Sequence, residues 1–213
     1  MGYRTAIVIF DEVEVLDFAG PFEVFSVTGR RRKLEPFDVY TVAERLAPVA
    51  ARNGLSINPR YSFAGCPPPE ILVVPGGYGT RREMKNPMML EWIARTGPAC
   101  ELVLSVCTGA LILGAAGLLD DREATTHFMA FDELRAVAPH AHVREDRRIV
   151  DNGNVILSAG VSAGIDMSLH VVARLLGTEV ARETARYMEY EGNWEAAVSQ
   201  SPSSPRTPNR TPR

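Results

Sequence analysis

The feature that most constrains this chain is a regular succession of short apolar runs, each followed by a segment with helical spacing. Thr5–Phe10 is continuously apolar, as expected for a strand buried on both faces, and Asp17–Val27 then shows a helical period. Further strands are predicted at Phe37–Val42, Glu70–Pro75, Glu101–Val106, Arg122–Thr126 and Val155–Ala159, with a short hairpin around Ala51–Ile57. Further helices are predicted at Pro87–Thr96, Thr108–Leu119, Ala163–Leu176 and Glu179–Tyr190. This alternation predicts an α/β fold with a mostly parallel central sheet and helices on both faces.

The body of the chain and its end differ in composition. Residues 1–195 contain no internal repeat and no linker, so a single domain is predicted there. Residues 196–213 are predicted to be a disordered tail rich in Pro, Ser and Arg, because Ser199–Arg213 contains four prolines, three arginines and no aliphatic residue. We expect removal of this tail to leave stability and activity nearly unchanged.

Charge and cysteine content argue against several classes of protein. The formal net charge of −3 argues against a nucleic acid partner, since phosphate binding needs a basic face. No apolar stretch approaches the roughly 18 residues of a membrane span, and no N-terminal targeting signal is present. Cys66, Cys100 and Cys107 are odd in number and follow no metal or disulfide spacing. His140 and His142 are spaced to share one face of a strand but have no third ligand, so no metal is predicted. A cytoplasmic protein without a membrane partner is expected.

Three glycine-rich segments follow predicted strands and are expected to share one edge of the sheet. They are Gly76–Gly79, Cys107–Gly109 and Gly160–Gly164. In parallel α/β sheets, ligands bind outside the carboxyl ends of the strands, where loops lead into helix N-termini. Backbone N–H groups at Gly76 and Gly77 could approach a developing negative charge there, although glycine after a strand is also ordinary turn chemistry.

Cys107 is the leading candidate for a nucleophile. Residues Ser105–Gly109 read Ser-Val-Cys-Thr-Gly, a spacing that resembles the nucleophile elbow between a strand and a helix. The positive end of the helix dipole at that turn favours the thiolate. The alternative is a structural thiol, since free cysteines are among the most buried residues.

Longer stretches resemble the ThiJ/PfpI superfamily, whose domains have a flavodoxin-like, glutamine-amidotransferase-like fold. The resemblance covers roughly residues 3–195 and rests first on Val73–Gly77, Ser105–Leu119 and Ala124–His127. Leu16–Phe25 and Gly160–Asp166 narrow it to the branch that holds isocyanide (isonitrile) hydratases and the sensor domains of AraC-type regulators. It implies a flavodoxin-like three-layer sandwich, a homodimer, a small-molecule substrate and no cofactor.

The resemblance also assigns roles to residues beside Cys107. In protease-like members a His follows the nucleophile, whereas this chain has Thr108, so a peptidase or amidotransferase would lose its base. Thr108 could contribute its hydroxyl or its backbone N–H. Asp17 matches an acidic residue that points at the nucleophilic sulfur; like-charge repulsion would raise its pKa and let it act as a general acid. The alternative for Asp17 is a plain helix N-cap.

His127 lies twenty residues after Cys107, where the superfamily often has a histidine. A catalytic base, a pocket wall and a structural hydrogen-bonding group all fit it. Relatives in this branch usually continue with Trp, whereas this chain has Phe128, a change that could reshape the pocket. Asp166 either lines the site or supports its own helix. The full set of predicted substrate-binding residues is Gly76, Gly77, Tyr78, His127, Phe128, Val161 and Asp166.

Two classes of function follow from the resemblance. In the first, Cys107 attacks the carbon of an isocyanide, Asp17 delivers the proton, and water releases an N-substituted formamide from a covalent thioimidate. In the second, the chain is a non-enzymatic ligand sensor. AraC-type regulators carry about a hundred further residues with helix-turn-helix motifs, which this sequence lacks, so the enzyme is favoured. A thiol-based glyoxalase, a deglycase or a redox sensor also fits the elbow cysteine.

Overall fold

The structure is a computed structural model that describes residues 2–192 and 194–198. The tail segment 199–213 lies outside the described residues. The strands are β1 (Tyr3–Val8), β2 (Phe37–Ala43), β3 (Val49–Ala50), β4 (Ser56–Ile57), β5 (Tyr61–Ser62), β6 (Ile71–Val74), β7 (Leu102–Val106), β8 (Glu123–Ala124), β9 (His142–Val143), β10 (Ile149–Asp151) and β11 (Val155–Ser158). The helices are α1 (Val15–Val27), α2 (Thr80–Glu83), α3 (Pro87–Thr96), α4 (Gly109–Ala115), α5 (Phe131–Val137), α6 (Ala163–Leu176), α7 (Thr178–Tyr187) and α8 (Trp194–Val198).

Seven strands form the central sheet in the order β10-β11-β7-β6-β1-β2-β5. Every neighbouring pair is parallel except β10 with β11. All residues of β6, β7 and β11 are buried, which explains why these strands appear in the sequence as unbroken apolar runs. The order β2-β1-β6-β7-β11 is that of flavodoxin-like sheets, in which the chain changes direction between the strands numbered β1 and β6 here.

Two groups of helices cover this sheet. Helix α1 packs on β1, β2 and β6, α6 packs on β7 and β11, and both contact α7. Helix α4 packs on β6 and β7 and contacts α3 and α5. The three-layer α/β sandwich with a mostly parallel sheet, predicted from the alternation of elements, is confirmed.

Three details differ from the sequence prediction. The predicted strand Arg122–Thr126 is only β8, which pairs with β9 in a separate two-stranded sheet. The helix predicted to continue to Leu119 ends at Ala115, because Gly117 adopts a left-handed conformation with φ 74°. His140 precedes β9, so it does not share a strand with His142.

Candidate active site

The loops that follow β1, β6, β7 and β11 meet at the carboxyl edge of the sheet, beside the point where the chain changes direction. Segment Val13–Glu14 lies against Gly76–Gly77. Val13 and Gly77 form an isolated antiparallel β-bridge, and the Glu14 N–H donates to the Gly76 carbonyl at 2.9 Å. Cys107 follows β7, and its N–H is shared between the carbonyls of Ser158 and Ala159 at the end of β11, at 3.2 and 3.1 Å. The topology therefore brings together four segments that are far apart in the sequence.

Cys107 occupies a strained turn. Its φ of 57° lies in the left-handed region, which costs a residue with a Cβ ~1–2 kcal/mol. The surrounding structure holds this turn from both sides, because the Thr126 hydroxyl donates to the Cys107 carbonyl at 2.8 Å. The side chain is almost buried, with 6% of the residue exposed. This is the geometry of a nucleophile elbow, which presents its side chain above the sheet.

The sulfur of Cys107 experiences opposing influences. Burial is the largest and raises the thiol pKa, and the neighbouring Asp17 charge raises it further. The backbone N–H groups of Thr108 and Val161 point at the sulfur and lower its pKa. The net effect is a raised thiol pKa. The helix N-terminus was expected to favour the thiolate, and the two N–H donors do lower the thiol pKa, but desolvation and the neighbouring carboxyl group outweigh them.

Asp17 is a buried carboxyl group in the first turn of α1. It is 0% exposed, and its Oδ2 accepts the Gly76 N–H at 3.0 Å. Its Oδ1 accepts no hydrogen bond of normal geometry from the described residues, but the Cys107 side chain lies near enough to perturb the carboxyl group. Burial raises the pKa of Asp17 to about 7, with a further contribution from the charge of Glu14. Glu14 holds the N-cap position, so the N-cap alternative for Asp17 is wrong.

Glycines 76 and 77 let the loop after β6 approach both Asp17 and Thr108. A Cβ on Gly76 would lie 2.6 Å from the Thr108 nitrogen and 2.7 Å from Asp17 Oδ2. Gly77 has a φ of 128°, which residues with a Cβ rarely adopt. The Thr108 hydroxyl accepts the Gly77 N–H at 3.0 Å and lies 3.1 Å from the Thr80 hydroxyl. Thr108 therefore fixes this loop with its hydroxyl and directs its N–H towards the sulfur.

His127 is placed at the side of the site. Its ring lies over Gly160, where an added Cβ would come within 2.3 Å of the histidine Cδ2. Its Nδ1 accepts the Met129 N–H at 3.3 Å, and its ring centroid lies 4.6 Å from that of Phe128. Phe128 is 73% exposed. The His127 ring therefore packs against the loop that carries Val161. In the part of the chain described, it makes no hydrogen bond to Cys107 or Asp17.

Two other predicted substrate-binding residues have different surroundings. Tyr78 is 69% exposed, and the Arg52 guanidinium lies 5.7 Å from its ring centroid. Asp166 is buried, and both its oxygens are occupied: Arg148 donates at 2.6 Å and the Tyr190 hydroxyl at 2.8 Å. Asp166 therefore anchors α6, and this carboxylate is not free to face the sulfur.

Three residues that hold the site were not found from the sequence. Thr126 supports the elbow, and the Thr80 hydroxyl donates to the Gly77 carbonyl at 2.8 Å. Arg81 forms a bidentate ion pair with Glu133 at 2.6 and 2.8 Å. The hydrogen bond with Glu133 raises the pKa of Arg81 most, and Arg81 lies near enough to Cys107 for a negative charge on the sulfur to raise it further. Of these three residues, only Thr126 lies in a segment that carried the family resemblance, Ala124–His127, and that resemblance assigned it no role.

Within residues 2–192 and 194–198, no group of three or more His, Cys, Asp or Glu side chains is arranged to hold a metal ion. No helix in these ranges is both long and apolar enough to cross a membrane.

The fold and the site define a class: a flavodoxin-like α/β protein with a cysteine at the elbow after a central strand and a buried carboxyl group beside it. The family model described as the DJ-1/PfpI family matches residues 3–174. The chain belongs to the DJ-1/PfpI family.

The relatives include an enzyme and transcriptional regulators. The chain is 34% identical over 190 residues to the isonitrile hydratase of Pseudomonas putida, covering 89% of this chain and 79% of that protein. It is 29% identical over 168 residues to the HTH-type transcriptional regulator CdhR of Pseudomonas aeruginosa, covering 74% of this chain and 49% of that protein. A crystal structure of a ThiJ/PfpI family protein from Pseudomonas syringae superposes with a TM-score of 0.81 at 33% identity, covering 91% of this chain and 77% of the other.

Proposed function

We propose that this protein is a cysteine-dependent isocyanide hydratase that converts R–N≡C and water to an N-substituted formamide. The observation that carries the proposal is the isolated carboxyl group of Asp17. It is buried against the Cys107 thiol without an ion-pair partner among the described residues, and burial raises its pKa to about 7. Such a group exchanges protons readily at neutral pH, as a general acid–base requires. The similarity to an isonitrile hydratase supports this choice of reaction.

In the first step, Cys107 adds to the isocyanide carbon. The sulfur forms a bond to that carbon, and Asp17 takes the thiol proton and passes it to the same carbon. The product is a covalent thioimidate, Cys107–S–CH=N–R, in which every atom of the thiol and the isocyanide is retained. The N–H groups of Thr108 and Val161 point at the sulfur and stabilise the charge that develops on it during this transfer.

In the second step, water adds to the thioimidate carbon. Asp17 accepts a proton from the water and passes it to the imine nitrogen, which gives a tetrahedral carbon that carries H, OH, NH–R and the sulfur. The C–S bond then breaks, the hydroxyl proton returns to sulfur through Asp17, and the formamide R–NH–CHO leaves. Cys107 and Asp17 are restored to their starting states, and the strained elbow keeps the sulfur in position throughout.

Turnover of isocyanides tests the proposal. The purified protein is incubated with aliphatic and aromatic isocyanides, formamide is followed by NMR, and the intact protein mass is recorded during turnover. We expect formamide to form and a transient adduct of one isocyanide mass to appear on Cys107. Cys107→Ala should abolish both, whereas Cys66→Ala, which removes a half-buried thiol away from the elbow, should retain both.

A ligand-sensing role is the second candidate, because the chain also resembles the HTH-type regulator CdhR, of which it spans about half the length. A sensor would bind a ligand at the same edge of the sheet without converting it. A run with methylglyoxal in parallel covers the glyoxalase and deglycase alternatives. Lactate from methylglyoxal with no formamide from any isocyanide would replace the hydratase assignment.

Assembly and location complete the proposal. We expect a symmetric homodimer in which residues near Asp17 approach the partner, and a cytoplasmic location. Light scattering at micromolar concentration checks the dimer, and a mass equal to that of one 23.3 kDa chain would contradict it.

A further inference from the structure

A groove lined by arginines lies at the end of α1 opposite the active site. Helix α1 runs from Val15 beside the elbow to Val27, and the single 3₁₀ turn Arg30–Arg32 follows it. This turn faces the exposed side of α7, and the space between them is a groove of about 480 Å³. Its lining consists of Arg31, Arg32, Glu179, Arg182, Glu183 and Arg186.

The groove carries an excess of positive charge in a protein whose formal net charge is −3. Four of the six lining residues are arginines and two are glutamates. The glutamates neutralise only part of the set: Arg32 forms a bidentate pair with Glu183 at 2.7 Å, and Arg182 donates to Glu179 at 2.6 Å and to Glu195, beside the groove, at 2.8 Å. These pairs fix two guanidinium groups as rigid walls of the groove.

Arg31 and Arg186 are the remaining two arginines. Both are exposed, and neither forms a salt bridge with a described residue, although Arg31 lies near enough to Glu183 for their charges to interact. Two unpaired guanidinium groups beside two others repel each other, and a bound dianion relieves that repulsion. The planar fork of each guanidinium matches the oxygens of a phosphate group in bidentate fashion.

The frame around the groove is held in place. The Thr184 hydroxyl lies 3.3 Å from the Thr28 hydroxyl in a buried contact between α7 and the end of α1. Arg30 donates to the Tyr187 hydroxyl at 3.4 Å, a second contact between the 3₁₀ turn and α7. These contacts hold the two backbone segments that carry the arginines against each other.

We infer that this groove is a binding site for a small phosphorylated metabolite, separate from the active site. Its volume suits a small molecule. The wall carboxylates Glu179 and Glu183 and the acidic net charge of the chain disfavour a long polyanion, which would extend beyond the arginines. A phosphate monoester places a compact double charge between Arg31 and Arg186, and the rest of the molecule lies along the groove.

Calorimetric titration of the full chain at low ionic strength tests this site, with inorganic phosphate and glucose 6-phosphate as probes. We expect one saturable site for each probe. The double variant Arg31→Gln/Arg186→Gln should weaken binding at least about tenfold, because each guanidinium donates charge-assisted hydrogen bonds. The matched control is Arg45→Gln/Arg95→Gln, which removes the same charge from two exposed positions outside the groove and should leave binding unchanged.

A further variant is expected to strengthen phosphate binding instead of weakening it. Glu183→Gln removes a like charge and frees the Arg32 fork, so phosphate should bind several-fold more tightly. Equal weakening in both arginine double variants, weaker binding in Glu183→Gln, or no saturable binding up to millimolar phosphate overturns the proposal. Tighter binding of duplex DNA or of anionic lipid vesicles than of either small phosphate overturns the choice of ligand. Because isocyanide turnover uses neither Arg31 nor Arg186, these results are independent of the proposed reaction.

Discussion

Asp17 and Asp151 are buried carboxyl groups at opposite edges of the same sheet, and their surroundings differ. Asp17 lies at the carboxyl edge, is 0% exposed, and accepts one backbone N–H at 3.0 Å. Asp151 ends β10 next to the start of β11, and its side chain is 7% exposed. His170 Nε2 lies 2.8 Å from its Oδ2, Arg174 donates at 3.0 Å, and the Gly153 N–H donates at 2.8 Å.

The two pKa values move in opposite directions for a physical reason. Burial raises the pKa of both groups. At Asp151 the hydrogen bonds from His170 and Gly153 and the charge of Arg174 outweigh it, so the net pKa is lowered. At Asp17 burial dominates, and the pKa rises to about 7. A buried carboxyl group with cationic partners supports the fold, whereas one without them holds a proton that chemistry can use.

The largest expected effect is on turnover. Asp17→Asn should lower isocyanide hydration by about 10²- to 10⁴-fold, because the amide can still accept the Gly76 N–H but cannot transfer a proton. Asp151→Asn, measured where the variant is folded, should keep turnover within a few-fold of the wild type. Full activity in Asp17→Asn beside an inactive Cys107→Ala would remove Asp17 from the mechanism and direct attention to His127.

The second effect is on the pH dependence of stability. The pKa of Asp17 is higher in the folded protein than the ordinary 3.8, so the folded state binds more protons, and stability falls as pH rises towards 7 and above. Between pH 5 and pH 8 the wild type should lose about 3 kcal/mol of unfolding free energy relative to Asp17→Asn. Urea denaturation of both proteins at several pH values measures this difference. Parallel curves would show that Asp17 is not protonated at neutral pH.

The third effect is a loss of stability when the ionised carboxylate of Asp151 is removed. Asp151→Asn should destabilise the fold by about 3 kcal/mol at pH 7, because it leaves Arg174 and the buried His170 without their carboxylate. The control is Asp38→Asn, whose exposed pair with Arg60 should contribute less than about 1 kcal/mol. Urea unfolding compares the two variants, and equal small losses would mean that burial adds nothing at Asp151.

The smallest effect is on thiol reactivity. The Asp17 charge raises the pKa of Cys107, so Asp17→Asn should increase the rate at which iodoacetamide alkylates Cys107 at pH 8 by several-fold. Cys66 serves as the internal reference in the same mass spectrum, and its rate should not change. Among the three thiols, we expect Cys107 to be labelled first, because it lies at the elbow beside the N–H groups of Thr108 and Val161, which stabilise negative charge on its sulfur. Slower labelling of Cys107 in the variant would contradict the conclusion that the Asp17 charge raises the pKa of Cys107.

The sheet was predictable because its strands are buried on both faces. A strand such as β6 has four apolar residues in succession, and such a run followed by Pro-Gly-Gly is typical of a strand buried on both faces. Short edge strands carry no such signal. β8 and β9 have two residues each, and β10 has three, so their pairing depends on neighbours that are distant in the sequence.

The sequence alone determined the α/β class, the order of the main elements and the turn that carries Cys107, because burial and glycine geometry leave local patterns. Only the tertiary structure decided the protonation of the site. Desolvation depends on every element packed around a group, so the sequence could not reveal that Asp17 is buried without a cation or that the thiol pKa is raised. It also decided that Asp166 is occupied by Arg148 and Tyr190, since those contacts join residues 18 and 24 positions apart.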